Sequence, residues 1–111
     1  MKVLQKELVL LPYPFSNLEE NKVRPALVVS NDSFNKKGDD CIMVPLTSVI
    51  KNEPYSVLIN QQDLLSGKLL KQSRIKVDKV FNVEKNLVIM KIGIVNDKTF
   101  EKVKSEISKF F

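Results

Sequence analysis

The sequence predicts a mostly β fold, a small barrel or strongly bent antiparallel sheet, followed by a C-terminal helix. Short apolar segments recur along the chain between polar connections that contain Pro, Asn, Asp or Gly, a pattern typical of small antiparallel sheets. The final segment, 96–111, changes to helical spacing. A length of 111 residues fits one domain, 1–111, with a core of its own.

Six segments are predicted as strands from their apolar content and alternation: 7–11, 24–30, 41–48, 56–59, 73–77 and 87–95. The third contains Pro45, which has no backbone N–H for a ladder, so this strand is expected at a sheet edge or with a bulge. The segment 31–40 is predicted as a turn-rich link. The segment 60–70 has room for a helical turn, limited by Gly67.

The C-terminal segment is predicted as an amphipathic helix that Asn96 or Asp97 can cap. Its apolar residues fall on one face, which is expected to pack on the sheet. They are Phe100, Val103, Ile107, Phe110 and Phe111.

Composition limits the possible chemistry. The net charge is +5, which makes polyanions plausible partners. There is no histidine, and the single Cys41 excludes an internal disulfide and a Cys/His zinc site, so Cys41 is expected to be a small buried hydrophobe. No metal or cofactor is indicated. A free thiol, no secretory signal and no apolar run long enough for a membrane helix favour the cytoplasm.

Arg24 is one of two arginines among 18 basic residues, and it stands at the start of a core strand. Alternation places Arg24 on the same side as Ala26 and Val28, and Pro25 favours extended backbone before it. Its side chain can therefore reach over a groove. Alternatively, Arg24 pairs with a carboxylate of the preceding loop, Glu19 or Glu20.

Two further segments could carry chemistry. "PLTS" ends the third strand with the hydroxyls of Thr47 and Ser48. "KQSRIKVDKV" places Arg74, Lys76 and Asp78 on one side of a strand, as a basic strip beside a carboxylate or simply as a solvated face.

"RPALVVSND", "PLTS", "SRIKVDKVFNVEK" and the closing helix, in this order from about Glu7 to Phe111, resemble the MazF/PemK family of toxin endoribonucleases. The resemblance implies an SH3-like barrel of the MazF/PemK/CcdB-like kind and a homodimer. It also implies single-stranded RNA, often mRNA, in a groove across the dimer. Cleavage at short sequences often leaves a 2′,3′-cyclic phosphate, and an acidic cognate antitoxin occupies the same groove.

The resemblance assigns the family's catalytic arginine and hydroxyl to Arg24 and Thr47, and it marks Lys76 and Asp78 as further functional positions. Because the chain has no histidine, Asp78 is the candidate base, with Glu19 or Glu20 as alternatives. The residues expected to bind RNA are Phe15, Ser16, Asn17, Asn21, Lys22, Ser48, Arg74 and Lys76. Candidate base readers are the aromatic side chains of Tyr13, Phe15 and Phe34 and the amides of Asn17, Asn21 and Gln72.

The sequence departs from the family pattern at three places. Lys6-Glu7 replaces a usual Gly-Asp, Lys76 stands where arginine is more usual, and the loop "SNLEENK" is acidic. The first concerns a turn, whereas the other two bear on RNA affinity and rate. The alternative functions are a non-catalytic RNA- or peptide-binding small barrel and a structural or protein-interaction domain.

Overall fold

The computed structural model describes residues 2–12 and 23–111. In this part of the chain the strands are β1 Glu7–Pro12, β2 Val23–Val28, β3 Asp40–Thr47, β4 Ser56–Ile59, β5 Leu64–Gly67, β6 Ser73–Lys76, β7 Phe81–Glu84 and β8 Met90–Val95. The α-helices are α1 Asp32–Lys37 and α2 Asp97–Ser108, and the 3-10 turns are Gln61–Asp63 and Lys85–Leu87.

The eight described strands form one antiparallel sheet with the order β4-β6-β3-β2-β1-β8-β5, and β7 pairs with the first half of β3. The sheet is strongly curled, and α2 closes it at the C-terminus, which confirms the predicted mostly β class with a C-terminal helix. None of the helices in the described residues has the length and apolar character needed to cross a membrane.

Both faces of the central strands are buried, because the sheet curls around one core and α2 covers part of it. Alternate residues of β1 and β2 supply the two sides: Leu8 and Leu27 belong to a cluster that includes Phe100 and Val103 of α2. On the other face, a second cluster packs against β7. Each fully buried aliphatic side chain contributes about 1.5–3 kcal/mol to folding. The second cluster consists of Val3, Val9, Leu11, Ala26, Val28, Cys41, Met43, Phe81, Val83 and Val88.

The prediction that Pro45 marks an edge strand or a bulge is wrong, because β3 lies inside the sheet and Pro45 pairs in regular register with Ala26. The Val29 N–H donates to the Ile42 carbonyl at 2.9 Å, and hydrogen-bonded and non-hydrogen-bonded pairs alternate in antiparallel ladders. Ala26 and Pro45 are therefore a non-hydrogen-bonded pair. On the opposite side of β3, Pro45 stands between Met43, the last residue paired with β7, and Leu46, the first paired with β6.

The sequence prediction missed three short elements. The segment 31–40, predicted as a turn-rich link, contains α1, which Asn31 caps by accepting the Phe34 N–H at 2.8 Å. Neither β7 nor β5 was predicted as a strand. The helix α1 has six residues, and β5 and β7 have four each. Segments this short do not show a periodic apolar pattern.

The C-terminal helix begins where it was predicted, because the Asn96 side chain accepts the Thr99 N–H at 2.8 Å. Phe100 and Val103 are buried against the sheet. The predicted apolar face is nevertheless too long: α2 ends at Ser108, and Phe110 and Phe111 lie beyond it with exposed rings.

The turn before β1 explains the departure at Lys6-Glu7. Lys6 has a φ of 78°, a left-handed backbone that glycine adopts without strain. The Lys6 N–H donates to the Val28 carbonyl at 3.0 Å, and the Lys6 carbonyl accepts the Val95 N–H at 3.0 Å. Its ammonium binds Asp97 at 2.6 Å. These contacts hold the turn with a lysine in the place of a glycine.

Candidate functional site

A row of polar side chains crosses three neighbouring strands at one end of the sheet. Thr47, the last residue of β3, pairs directly with Arg74 of β6. On the other side of β3, Ala26 pairs with Pro45, and the same register continued by two residues sets Arg24 opposite Thr47. Residues opposite each other in an antiparallel pair point to the same face. The fold therefore places both arginines of the chain on the two sides of one threonine.

These side chains line a cleft of about 350 Å³. Its walls also contain Glu53 and a group of lysines, so that within ranges 2–12 and 23–111 five cationic side chains and one carboxylate line it. The described lining residues are Arg24, Pro45, Leu46, Thr47, Val49, Lys51, Glu53, Arg74, Lys76 and Lys79. A concentration of positive charge in a concave surface favours the binding of a polyanion.

Arg24 is half-buried and contributes to the wall of this cleft. It pairs with Leu11 of β1, so its backbone is held between β1 and β3 rather than in a loop. Ala26 and Val28, which follow on the same face, are fully buried in the second core cluster. The cleft thus continues that face of the sheet beyond the buried core, and regular sheet pairing fixes the Arg24 backbone at its entrance.

Thr47 is partly exposed, and its Oγ1 accepts the N–H of Val49 at 3.2 Å. This bond turns the chain out of β3 and leaves the hydroxyl proton available as a donor. Thr47 can therefore offer a hydrogen bond to a group that enters the cleft.

Arg74 is held by neutral oxygens. Its Nη1 donates to Ser56 Oγ at 3.1 Å and its Nη2 to Asn52 Oδ1 at 3.4 Å. Its Nε–H is buried and has no hydrogen-bond partner within the described ranges 2–12 and 23–111.

Lys76 forms an ion pair with Glu53, and both side chains belong to the lining of the cleft. The hydrogen bond from Lys76 holds the pKa of Glu53 below its usual value, and the same bond raises the pKa of Lys76. Both groups therefore stay charged, and each neutralises the other.

Asp78 does not line this cleft. It is exposed in the turn after β6 and lines a neighbouring apolar cavity of about 660 Å³ beside α2. Its charge still contributes to raising the pKa of Lys76, so it is near the edge of the cleft. Ser48 and Arg24 line a third cleft, of about 580 Å³, next to the first.

Of the remaining predicted residues, Phe34 and Gln72 are described by the structure and the others are not. Phe34 lies on α1 and lines a separate polar cavity with Asp39 and Glu84, away from Arg24. Gln72 is exposed and donates to Asn60 Oδ1. Others lie outside the described residues: Tyr13, Phe15, Ser16, Asn17, Glu19, Glu20, Asn21 and Lys22.

The sequence reasoning missed Glu53, Lys51 and Lys79 as parts of the cleft. Glu53 and Lys51 belong to "KNEPYS", the connection after "PLTS", and its mixed charges were the available signal. In the described part of the chain, no group of three His, Cys, Asp or Glu side chains comes together as a possible metal site.

Comparison with protein-family models decides the relationship. Residues 5–111 match the model of the "PemK-like, MazF-like toxin of type II toxin-antitoxin system". The chain belongs to this toxin family. No curated protein matches significantly.

Solved structures support the same fold. A mycobacterial endoribonuclease in complex with its cognate antitoxin is similar, with a TM-score of 0.79 and 20% identity over 96% of this chain and 92% of that one. A Deinococcus radiodurans MazE-MazF structure has a TM-score of 0.76 and 17% identity over 99% and 95%. The Mycobacterium tuberculosis toxin MazF-mt6 has a TM-score of 0.75 and 14% identity over 93% of both chains.

Proposed function

We propose that this family member is a sequence-specific, metal-independent endoribonuclease that cleaves single-stranded RNA, mRNA above all. The observation that carries the proposal is the meeting of Arg24 and Thr47 on one wall of a cationic cleft. Membership of the toxin family and the endoribonuclease activity of the similar mycobacterial protein support it.

In the proposed reaction the 2′-hydroxyl of the RNA attacks the adjacent phosphorus. The bond to the 5′-oxygen breaks, and this oxygen takes a proton from water, which leaves a 2′,3′-cyclic phosphate and a 5′-hydroxyl. Arg24 binds two phosphate oxygens through its planar fork and stabilises the charge that develops on them. Thr47 donates a hydrogen bond from its hydroxyl to a phosphate oxygen. Arginine keeps its proton at neutral pH, so Arg24 acts by geometry and charge.

A carboxylate must accept the proton of the attacking hydroxyl. Asp78 is the candidate base that the sequence suggests, but its side chain lines the neighbouring cavity. Glu53 lines the cleft itself, and its ion pair with Lys76 keeps it ionised, as a proton acceptor must be. Two carboxylates are therefore proposed for this role, and position favours Glu53.

The proposal extends to partners. We expect a homodimer in the cytoplasm, with single-stranded RNA lying across Arg24, Ser48 and Arg74, which line the two adjoining clefts. The expected inhibitor is an acidic cognate antitoxin, whose carboxylates suit the same cationic surface. A similar MazE-MazF complex supports this expectation.

The test is incubation of the purified protein with a long mixed-sequence RNA in EDTA, followed by mapping of the new ends. We expect cuts at a short recurring sequence with cyclic phosphate ends. Arg24→Ala and Thr47→Ala should each lower the rate about 10²–10³-fold. Lys36→Ala is the control for lost charge, because Lys36 is exposed on α1 and outside the cleft. Cleavage by Arg24→Ala at the wild-type rate would refute the mechanism.

A second candidate function is a non-catalytic RNA-binding barrel, favoured by one observation: the ion pair with Glu53 neutralises Lys76 inside the cleft. Such a protein would bind RNA in a salt-dependent way and yield no cyclic phosphate ends.

A further inference from the structure

The two cations that β6 contributes to the cleft differ in their electrostatic state. Lys76 is paired with the carboxylate of Glu53. Arg74 is bonded to the hydroxyl of Ser56 and the amide oxygen of Asn52, and within the described residues no carboxylate lies in ion-pair distance of it. The charge of Lys76 is therefore cancelled locally, whereas that of Arg74 is not.

Arg74 also has an unused donor. Its Nε–H is buried without a hydrogen-bond partner in residues 2–12 and 23–111. A buried donor without a partner is unfavourable, and a bond to an anion removes that penalty. The guanidinium faces the cleft at the position directly across from Thr47.

Arg74 and Arg24 flank Thr47 from the two neighbouring strands. Two steps across a sheet separate their backbones by roughly 10 Å. Long side chains starting this far apart reach successive phosphates of one strand without competing for the same oxygens.

We propose that Arg74, and not Lys76, is the second phosphate-binding cation of the cleft, and that it holds the phosphate next to the one bound by Arg24. This inference rests on the proposed function. On binding, Arg74 exchanges hydrogen bonds of 3.1 and 3.4 Å to neutral oxygens for shorter charge-assisted bonds to phosphate. Its Nε–H then acquires an acceptor.

The first experiment measures binding of a fluorescent random 12-nucleotide 2′-O-methyl RNA pool, which lacks the attacking hydroxyl, at several salt concentrations. Arg74→Gln should weaken binding about ten- to a hundredfold and reduce the slope of log affinity against log salt by about 0.7. The matched variant Lys76→Gln should leave the slope unchanged. An unchanged slope in Arg74→Gln, or a reduced slope in Lys76→Gln, would overturn the proposal.

The second experiment needs no substitution at Arg74. The chain has two arginines, so an NMR spectrum of arginine Nε–H groups contains two signals, which Arg24→Lys assigns. Addition of the pool should shift the Arg74 signal, and a shift of the Arg24 signal alone would overturn the proposal. If wild type still cuts RNA in that case, the nuclease function stands without it. If wild type neither binds the pool nor cuts RNA, both proposals fall.

Discussion

Lys76 donates a hydrogen bond to Glu53 Oε2, and this ion pair lies in the same cleft as Arg24 and Thr47. Glu53 comes from the connection between β3 and β4, while Lys76 ends β6. Glu53 thus neutralises a cation that would otherwise be available to an incoming phosphate. In the wild type, this pairing keeps Lys76 from binding RNA.

We predict that Glu53→Gln increases RNA affinity, because it frees the Lys76 ammonium for a phosphate. The slope of log affinity against log salt should become steeper by about 0.7 for one added phosphate contact. The measurement is titration of the 2′-O-methyl pool at several salt concentrations.

Glu101→Gln is the control for Glu53→Gln. Glu101 lies on α2, is exposed and pairs with Lys104 at 3.4 Å, so its replacement changes the net charge equally without changing the cleft. Equal gains of affinity in both variants would show that the overall charge, and not the Glu53–Lys76 pair, sets the affinity.

We predict that Asp78→Asn retains cleavage within about tenfold of wild type. The reason is that the Asp78 carboxylate lines the apolar cavity beside α2 and not the cleft, whereas loss of a general base costs about 10²–10⁴-fold. Single-turnover cleavage over a range of pH is the measurement. A loss of the larger size, together with a flattened pH profile, would make Asp78 the base.

We predict that Cys41 is unreactive in the folded protein. The side chain is fully buried, and this burial raises the pKa of the thiol from 9.0 to about 11. At pH 8 only about one thiol in a thousand is then ionised. Iodoacetamide should label the protein rapidly in denaturant and very slowly without it. Equal rates would contradict the burial of Cys41.

The same shift has a consequence for stability, with a definite sign. Because the folded thiol ionises at a higher pH than the unfolded one, the free energy of unfolding should fall as the pH rises from about 9 to about 11. Cys41→Ala should lack this component, and comparison of denaturant melts of the two proteins across that range isolates it.

We predict that Gly67→Ala destabilises the fold by at least about 2 kcal/mol. Gly67 has a φ of +92°, and an added Cβ would lie 2.3 Å from backbone atoms of Ile92 and Gly93 in β8. Gly38→Ala is the matched control, since nothing lies within 4 Å of the corresponding position. Chemical denaturation of both variants is the measurement, and similar midpoints would contradict the close β5–β8 approach.

The sequence predicted the fold class and the strand that begins at Arg24, because β2 and β3 have buried apolar runs and α2 has a clear cap. It did not predict that Pro45 lies inside the sheet. Pro45 fits there because it falls between the part of β3 that pairs with β7 and the part that pairs with β6. That information is in the tertiary arrangement and not in the residue type.

The same limit applies to the candidate site: two of its residues could be predicted from the sequence, but the contacts around them could not. The family resemblance pointed to Arg24 and Thr47, and the register brings them together. The pairing of Lys76 with Glu53 and the neutral partners of Arg74 could not be read from the sequence. These contacts join residues about twenty positions apart and exist only because the chain after β3 returns to β4, beside β6. Local alternation carries no information about such a return.

The pairing of β1 with β8 joins Glu7 to Ile94, and it has a consequence for synthesis on the ribosome. The nascent chain can complete the Arg24–Thr47–Arg74 row only after β6 has emerged, and β1, which pairs with β2 on one side, lacks its second partner until β8 follows. Pairings this distant in sequence form slowly. A nascent chain without β8 therefore lacks part of the folded sheet, so the order of translation itself delays the moment at which the toxin is assembled.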